Sequence, residues 1–138
     1  MSPLQVHDDR HFPRLYVRAE AAHAGYAAAW IADMDALLRD GGRFAVIHPV
    51  EQAPEDREDF KARGTRLKHN KARLAELCAG MLRIGPDAAR REQLQPLMEG
   101  AQRACGVPQR FASDPAQAEA LARGMLAAPH RNGGIDAG

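Results

Sequence analysis

The stretch RFAVIHPV, residues 43–50, constrains the fold more than any other part of the chain. Its apolar residues run without interruption from Phe44 to Ile47, so they lack the apolar and polar alternation of a strand with one wet face. A continuous apolar strand is typical of a position covered on both faces of a sheet. We therefore expect residues 43–50 to form the central strand of an α/β sheet.

The elements around this strand alternate as expected for a mostly parallel sheet. Two short extended segments, PLQVHD and PRLYVRA, come first and predict an antiparallel hairpin. Helical periodicity then begins near Ala22 and ends at Gly41 and Gly42. After the central strand we expect a helix over 54–79, a strand GMLRIG, a helix from Pro86, an edge strand VPQRFA and a helix capped by Ser113 or Asp114. This order predicts a mixed, mostly parallel five-stranded sheet packed with about four helices.

Length and composition indicate one domain. The chain has 138 residues, of which 45% are hydrophobic, and its formal net charge is +1. We expect a single domain over 1–128 and a flexible tail over 129–138, where periodicity is absent. The balanced charge argues against a nucleic-acid partner, and no apolar run approaches the roughly 20 residues that cross a bilayer. The sequence thus predicts a cytoplasmic protein without membrane insertion.

Four segments carry a family resemblance: the hairpin over 4–19, Trp30 with Leu37 and Leu38 before GGRFAVIHPV, the stretch LKHNKARLAELCAGMLRI, and the closing RFASDPAQAEALARGML. Together they resemble the STAS-like proteins, the single-domain relatives of bacterial anti-sigma-factor antagonists. An asparagine and a basic residue midway along the second helix, here Asn70 and Lys71, carry much of the resemblance. It implies a non-catalytic binding or regulatory domain that acts through a protein partner.

The chain departs from this family at the start of the second helix. In regulatory members a serine or threonine there receives phosphate and switches partner binding, whereas this chain has IHPVEQAPEDRED, with acids and no hydroxyl group. Thr65, the nearest hydroxyl residue, lies well inside the helix. The acids would resemble a permanently modified state. We therefore predict the interaction surface at His48, Glu51, Glu55, Asp56 and Asp59.

Two further hypotheses remain open. His48 ends the central strand, and ligands in open α/β sheets bind beyond the carboxyl ends of strands. With Tyr26 and Arg66 it would bound a crevice for a small ligand or for an accessory reaction in a biosynthetic pathway, unless its ring only bonds a backbone carbonyl. The third hypothesis is a homodimeric structural module that pairs through an exposed helix face or the edge of the opening hairpin.

The sequence predicts no catalytic residue, cofactor or metal. It has no Gly-rich phosphate loop, nucleophile elbow or HExxH motif. His7 and His11 flank the hairpin turn with Asp8 and Asp9 between them, a composition that suits a divalent cation. Their spacing matches no known ligand signature, so a solvated turn is expected.

The remaining polar and sulfur-containing residues are expected to serve the fold. Cys78 and Cys105 fall on the apolar stripes of predicted helices, and Trp30 falls on another. The basic run from Lys61 to Arg73 is expected to be a solvated helix face. Asn70 is expected to bond backbone groups at the edge of the core, while the methylenes of Lys71 lie along apolar surface.

Overall fold

The structure is a computed structural model that describes residues 4–18, 25–48, 57–85 and 87–128. In chain order its elements are β1 (His7–Asp8), β2 (Arg14–Val17), α1 (Ala27–Asp40), β3 (Phe44–His48), α2 (Arg57–His69), α3 (Lys71–Leu77), β4 (Cys78–Ile84), α4 (Ala88–Cys105), β5 (Gln109–Ala112) and α5 (Pro115–Ala127). The tail over 129–138 lies outside the described residues. Among the described helices, none is both long and apolar enough to span a bilayer.

The five strands form one mixed sheet in the sequential order β1-β2-β3-β4-β5. β1 pairs with β2 antiparallel, and every later pair is parallel. The predicted α/β fold is therefore confirmed, with β3 as its central strand. Residues 49 and 50 of the predicted strand lie outside the described residues. The described residues contain five helices because the predicted long helix divides in two at Asn70.

The two faces of β3 explain its unbroken apolar run. Phe44 and Val46 belong to a core cluster with residues of α1 and α3, whereas Ala45 and Ile47 belong to a second cluster with Ala118 of α5. Sequential parallel strands joined by right-handed crossovers place their connecting helices on one face. α5 follows the last strand and covers the opposite face.

The predicted helix over 54–79 is wrong at its C-terminal end. α2 ends at His69, α3 begins at Lys71, and Cys78 already starts β4. The residues from Cys78 to Leu82 are buried on both faces of the sheet, and such a run cannot be told from a helix stripe by periodicity alone. Cys78 is therefore a buried strand residue, while Cys105 ends α4 as a buried helix residue.

Asn70 lies at the junction of α2 and α3 without the predicted side-chain role. As the N-cap residue of α3, Asn70 makes no side-chain capping hydrogen bond. Instead its backbone N–H donates to the Arg66 carbonyl at 3.0 Å, and its own carbonyl accepts from Leu74 N–H at 2.9 Å. The stem of Lys71 lies beside Gly106, where an added Cβ would be 3.6 Å from Lys71 Cε. Lys71 thus covers the turn after α4 with its methylenes.

Candidate functional site

One row of side chains crosses the sheet at the carboxyl ends of its parallel strands. His7 of β1 is opposite Val17 of β2, and His48 of β3 is opposite Arg83 of β4. The β2–β3 register ends at Tyr16 opposite Ile47, which brings Val17 beside His48. Residues opposite one another point to the same face of a sheet. Two histidines and an arginine therefore lie together at the carboxyl ends of the strands, where open α/β folds bind ligands.

His7 forms a buried pair with Asp33 of α1. The two side chains are 0% and 3% exposed, and His7 Nδ1 is 2.9 Å from Asp33 Oδ2. Oδ2 also accepts the backbone N–H groups of Val6 at 2.7 Å and His7 at 3.0 Å, while Oδ1 accepts from Gln5 N–H at 2.9 Å. Asp33 thus holds the edge strand β1 against α1.

Four donors keep the Asp33 carboxylate ionised. Burial works to raise its pKa, but the hydrogen bonds from His7, Gln5 and Val6, together with the charge of His7, outweigh burial and lower the pKa below the ordinary value of 3.8. Because a carboxylate accepts only, His7 carries its proton on Nδ1. His7 Nε2 is buried, and none of the residues that the structure describes forms a hydrogen bond with it. The centroid of the His7 ring lies 6.2 Å from that of Trp30.

His11 is exposed, as expected for a solvated turn, whereas His7 lies in β1 and is buried. The prediction of a solvated turn is therefore wrong for His7. Asp8 is paired with Arg10 at 2.6 Å, and the hydrogen bond from that guanidinium holds the pKa of Asp8 far below its ordinary value. The exposed His11 ring meets Tyr16 edge-on at 5.9 Å. Within the described ranges, no three His, Cys, Asp or Glu side chains are placed to hold a metal ion.

His48 makes the backbone contact that was one of its two predicted roles. Its Nδ1 donates to the carbonyl of Leu82 on β4 at 3.1 Å. Burial, followed by the positive charges of Arg83 and Arg63, holds the pKa of His48 well below 6.5. The imidazole is therefore neutral at physiological pH and ties the end of β3 to β4.

Asp59 serves the fold, although the sequence predicts it on an interaction surface. It is 6% exposed, and its two carboxylate oxygens accept the backbone N–H groups of Gly25 at 2.7 Å and Ala27 at 3.1 Å. A carboxylate of α2 thereby caps the start of α1. Of the other predicted surface residues, His48 is partly buried, while Glu51, Glu55 and Asp56 lie outside the described residues.

Arg66 lies apart from the other two residues of the predicted crevice. Its guanidinium pairs with Asp35 of α1, with Nη2 2.6 Å from Oδ2 and Nε 3.3 Å from Oδ1. Tyr26 packs against the first core cluster at the start of α1. Arg66 borders two concavities, and neither has Tyr26 or His48 in its wall.

These two concavities differ in what they can hold. The inner one, between Trp30, Leu67 and Leu74, leaves no room for a water molecule. The outer one is an open groove of ≈ 500 Å³ between α1 and α2, which we call the α1–α2 groove. Its walls are formed by Ile31, Glu58, Lys61, Ala62, Thr65, Arg66 and His69.

Side chains also occupy the edges of the sheet. On β5, Gln109 N–H donates to Gln102 Oε1 at 3.1 Å, and just beyond the strand Ser113 N–H donates to Gln117 Oε1 at 2.5 Å. At the other edge, Asp33 accepts hydrogen bonds from the N–H groups of His7 in β1 and of Val6 just before it. Backbone groups at a sheet edge are the template for strand addition. Both edges are therefore partly closed to another strand.

Sequence patterning missed Asp33 although its position held a signal. Asp33 is three residues after Trp30 and four before Leu37, which places it on the buried stripe of α1. An acid on such a stripe needs buried donors, and β1 supplies them.

No protein-family model, curated protein or solved structure matches the chain, so the STAS-like resemblance remains a prediction.

Proposed function

We propose that this chain is a small cytoplasmic STAS-like domain that acts through a protein partner and performs no catalysis itself. The observation that carries the proposal is that three polar side chains of the described residues, Asp33, His48 and Asp59, are engaged in holding the fold. Asp33 holds β1, His48 holds β4 and Asp59 holds α1. A catalytic site needs groups that converge on a substrate with the reactive atom free. The proposal therefore places the function of the domain on its molecular surface.

The order of elements supports the same proposal. The hairpin, the apolar central strand and the two later strands follow the segments on which the resemblance rests. Asn70 and Lys71 lie where the second helix meets β4 through α3. The filled interior beneath Arg66 offers nothing to a small ligand. A domain of this kind transmits its state through contacts with another protein.

The proposed partner surface begins at the end of β3 and continues through residues 49–56, toward α2. His48, Glu51, Glu55 and Asp56 are its predicted members, and Asp59 is removed from the set because it is buried. The test is affinity capture from a lysate of the source cells with the full chain as bait. We expect a specific protein whose recovery falls about tenfold with the E55K/D56K double variant, which reverses two charges.

A matched charge reversal controls this experiment. Glu92 and Glu99 are exposed on α4, so the E92K/E99K variant makes the same change in net charge on another helix. Recovery of the captured protein should be unchanged by this control. Capture of no specific protein, or equal recovery with both double variants, would overturn the proposed surface. Thermal unfolding of each variant shows that it is folded.

The homodimer hypothesis is restricted by the closed edges of the sheet. We expect the Q102A/Q117A double variant to self-associate more strongly than the wild type, because it releases the N–H groups of Gln109 on β5 and of Ser113 just beyond it. Light scattering across a concentration series would then show a rising mass for the variant. The exposed Gln93 and Gln95 on α4 provide a matched Q93A/Q95A control. A mass that stays constant with concentration in Q102A/Q117A contradicts this role for the two glutamines.

A further inference from the structure

One helix, α5, packs against the second core cluster. Among the described helices, α5 alone contributes side chains to this cluster, and it covers apolar residues of β3, β4 and β5. Only Ala118 and Ala122 of α5 are buried, and both side chains are small. The larger Leu121, Met125 and Leu126 are partly buried against the same cluster. The packing on this face of the sheet therefore depends on side chains that solvent still reaches.

The thioether of Met125 lies directly against the backbone of β4. A Cβ built on Gly80 would clash with Met125 Sδ and would lie 3.0 Å from its Cε. Gly80 is opposite Ala45, which belongs to the second cluster, so this contact lies on the face that α5 covers. Met125 thus fills the space that a side chain at position 80 would take. The fit leaves no room for another atom between the sulfur and β4.

The same turn of α5 is joined to the residue that precedes β3. Arg43 Nη1 donates to the carbonyl of Leu126 at 2.6 Å, and Nη2 donates to the carbonyl of Met125 at 3.4 Å. Through its side chain and its carbonyl, Met125 therefore links the end of α5 to two neighbouring strands. A change at this residue should act on the attachment of the helix as a whole.

Met125 is also the described sulfur-containing residue that an oxidant reaches most easily. Met34, Met81 and Met98 are 1%, 5% and 8% exposed, and the two cysteines are each 1% exposed, whereas Met125 is partly exposed. Oxidation of a side-chain sulfur follows its exposure. We therefore expect peroxide to modify Met125 before any other described sulfur.

We propose that Met125 is an oxidation site through which a peroxide loosens α5 from the sheet. A lone pair of Sδ attacks one oxygen of hydrogen peroxide, so that an S–O bond forms while the O–O bond breaks. The thioether is oxidised by two electrons to the sulfoxide, and the other peroxide oxygen leaves as water. The sulfoxide is polar, so burying it against apolar side chains costs free energy. If it turns to solvent instead, the contact with Gly80 is lost, and either arrangement weakens the end of α5.

The test combines peptide mapping with hydrogen–deuterium exchange of the full chain. The protein is treated with a limiting amount of hydrogen peroxide, and mass spectrometry locates the added oxygen. We expect Met125 to gain one oxygen atom before Met34, Met81 or Met98 does. Amide exchange over 121–126 should then become about tenfold faster or more, while exchange in α1 stays unchanged. Methionine sulfoxide reductases should restore the slow exchange.

Matched variants identify the responsible sulfur. M125L keeps an apolar side chain of similar volume, so it should fold, and peroxide should no longer speed exchange over 121–126. M98L makes the same change on α4 and should respond to peroxide as the wild type does. M125Q places a polar side chain of similar length at the site and should speed exchange without peroxide.

Three results would overturn the inference. The first is oxidation of the buried methionines as fast as that of Met125. The second is unchanged exchange over 121–126 in protein that carries the Met125 sulfoxide. The third is an equal effect of peroxide on the wild type and on M125L, which would place the responsible group elsewhere.

Discussion

Replacing Asp33 by alanine is expected to lower the free energy of unfolding by about 3–5 kcal/mol, as when one partner of a buried charged pair is removed. The substitution leaves three backbone N–H groups and His7 Nδ1 without their acceptor inside the protein. An unsatisfied buried donor costs about 1–3 kcal/mol. Because β1 has only two paired residues, the lost bonds should also release the strand from the sheet. Urea denaturation followed by circular dichroism measures the loss.

Asp40 provides the matched control for this substitution. It lies in the last turn of the same helix and is exposed. D40A should change the free energy of unfolding by no more than about 0.5 kcal/mol, the usual range for an exposed site. Equal losses in D33A and D40A would show that Asp33 acts through helix propensity and not through β1.

The dependence of this effect on pH follows from the lowered pKa of Asp33. A group whose pKa is lower in the folded state stabilises the protein above its unfolded pKa, and this contribution is lost as pH falls through the folded pKa. The stability difference between wild type and D33N should therefore be constant from neutral pH to about pH 4 and shrink only below it. A difference that shrinks already between pH 7 and pH 5 would contradict a carboxylate held ionised by its donors.

The central strand could be predicted because four consecutive residues, Phe44 to Ile47, reflect burial on both faces of the sheet. Phe44 and Val46 meet one core while Ala45 and Ile47 meet the other, so every position had to be apolar. The division between α2 and α3 has no comparable local signal. Leu67 and Leu74 are seven residues apart and continue one helical stripe across Asn70. Leu74 is fully buried while Leu67 is only partly buried, a difference that the periodic pattern does not show.

The polar contacts of the candidate site are harder to predict because they are long-range. Asp33 bonds the backbone of His7, 26 residues earlier, and Asp59 bonds Gly25, 34 residues earlier. A helix dipole explains an acid near the start of α2 equally well whether the side chain faces water or a neighbouring helix. The sequence thus identified Asp59 as important and assigned it to the wrong environment.

Asp59 provides the second large effect, because it caps α1 from another helix. D59A removes both acceptors of the Gly25 and Ala27 N–H groups, and hydrogen bonds to a charged group contribute about 1.5–3 kcal/mol each. We expect the free energy of unfolding to fall by about 2–4 kcal/mol, less than the full sum because water can reach part of the opened helix end. Urea denaturation again gives the value, and E92A at an exposed position of α4 is the control.

This substitution also decides between the two roles of Asp59. If the residue only caps α1, D59N, which keeps an acceptor oxygen, should recover part of the lost stability, and the folded variant should still bind the captured partner. If Asp59 instead lay on the interaction surface, D59A would weaken partner binding without lowering the free energy of unfolding. Loss of partner binding in D59A with an unchanged urea midpoint would return Asp59 to the surface and contradict its buried position. Because Asp59 caps α1, we expect its substitution to lower the stability of the protein directly. Partner binding should weaken only if α1 itself is displaced.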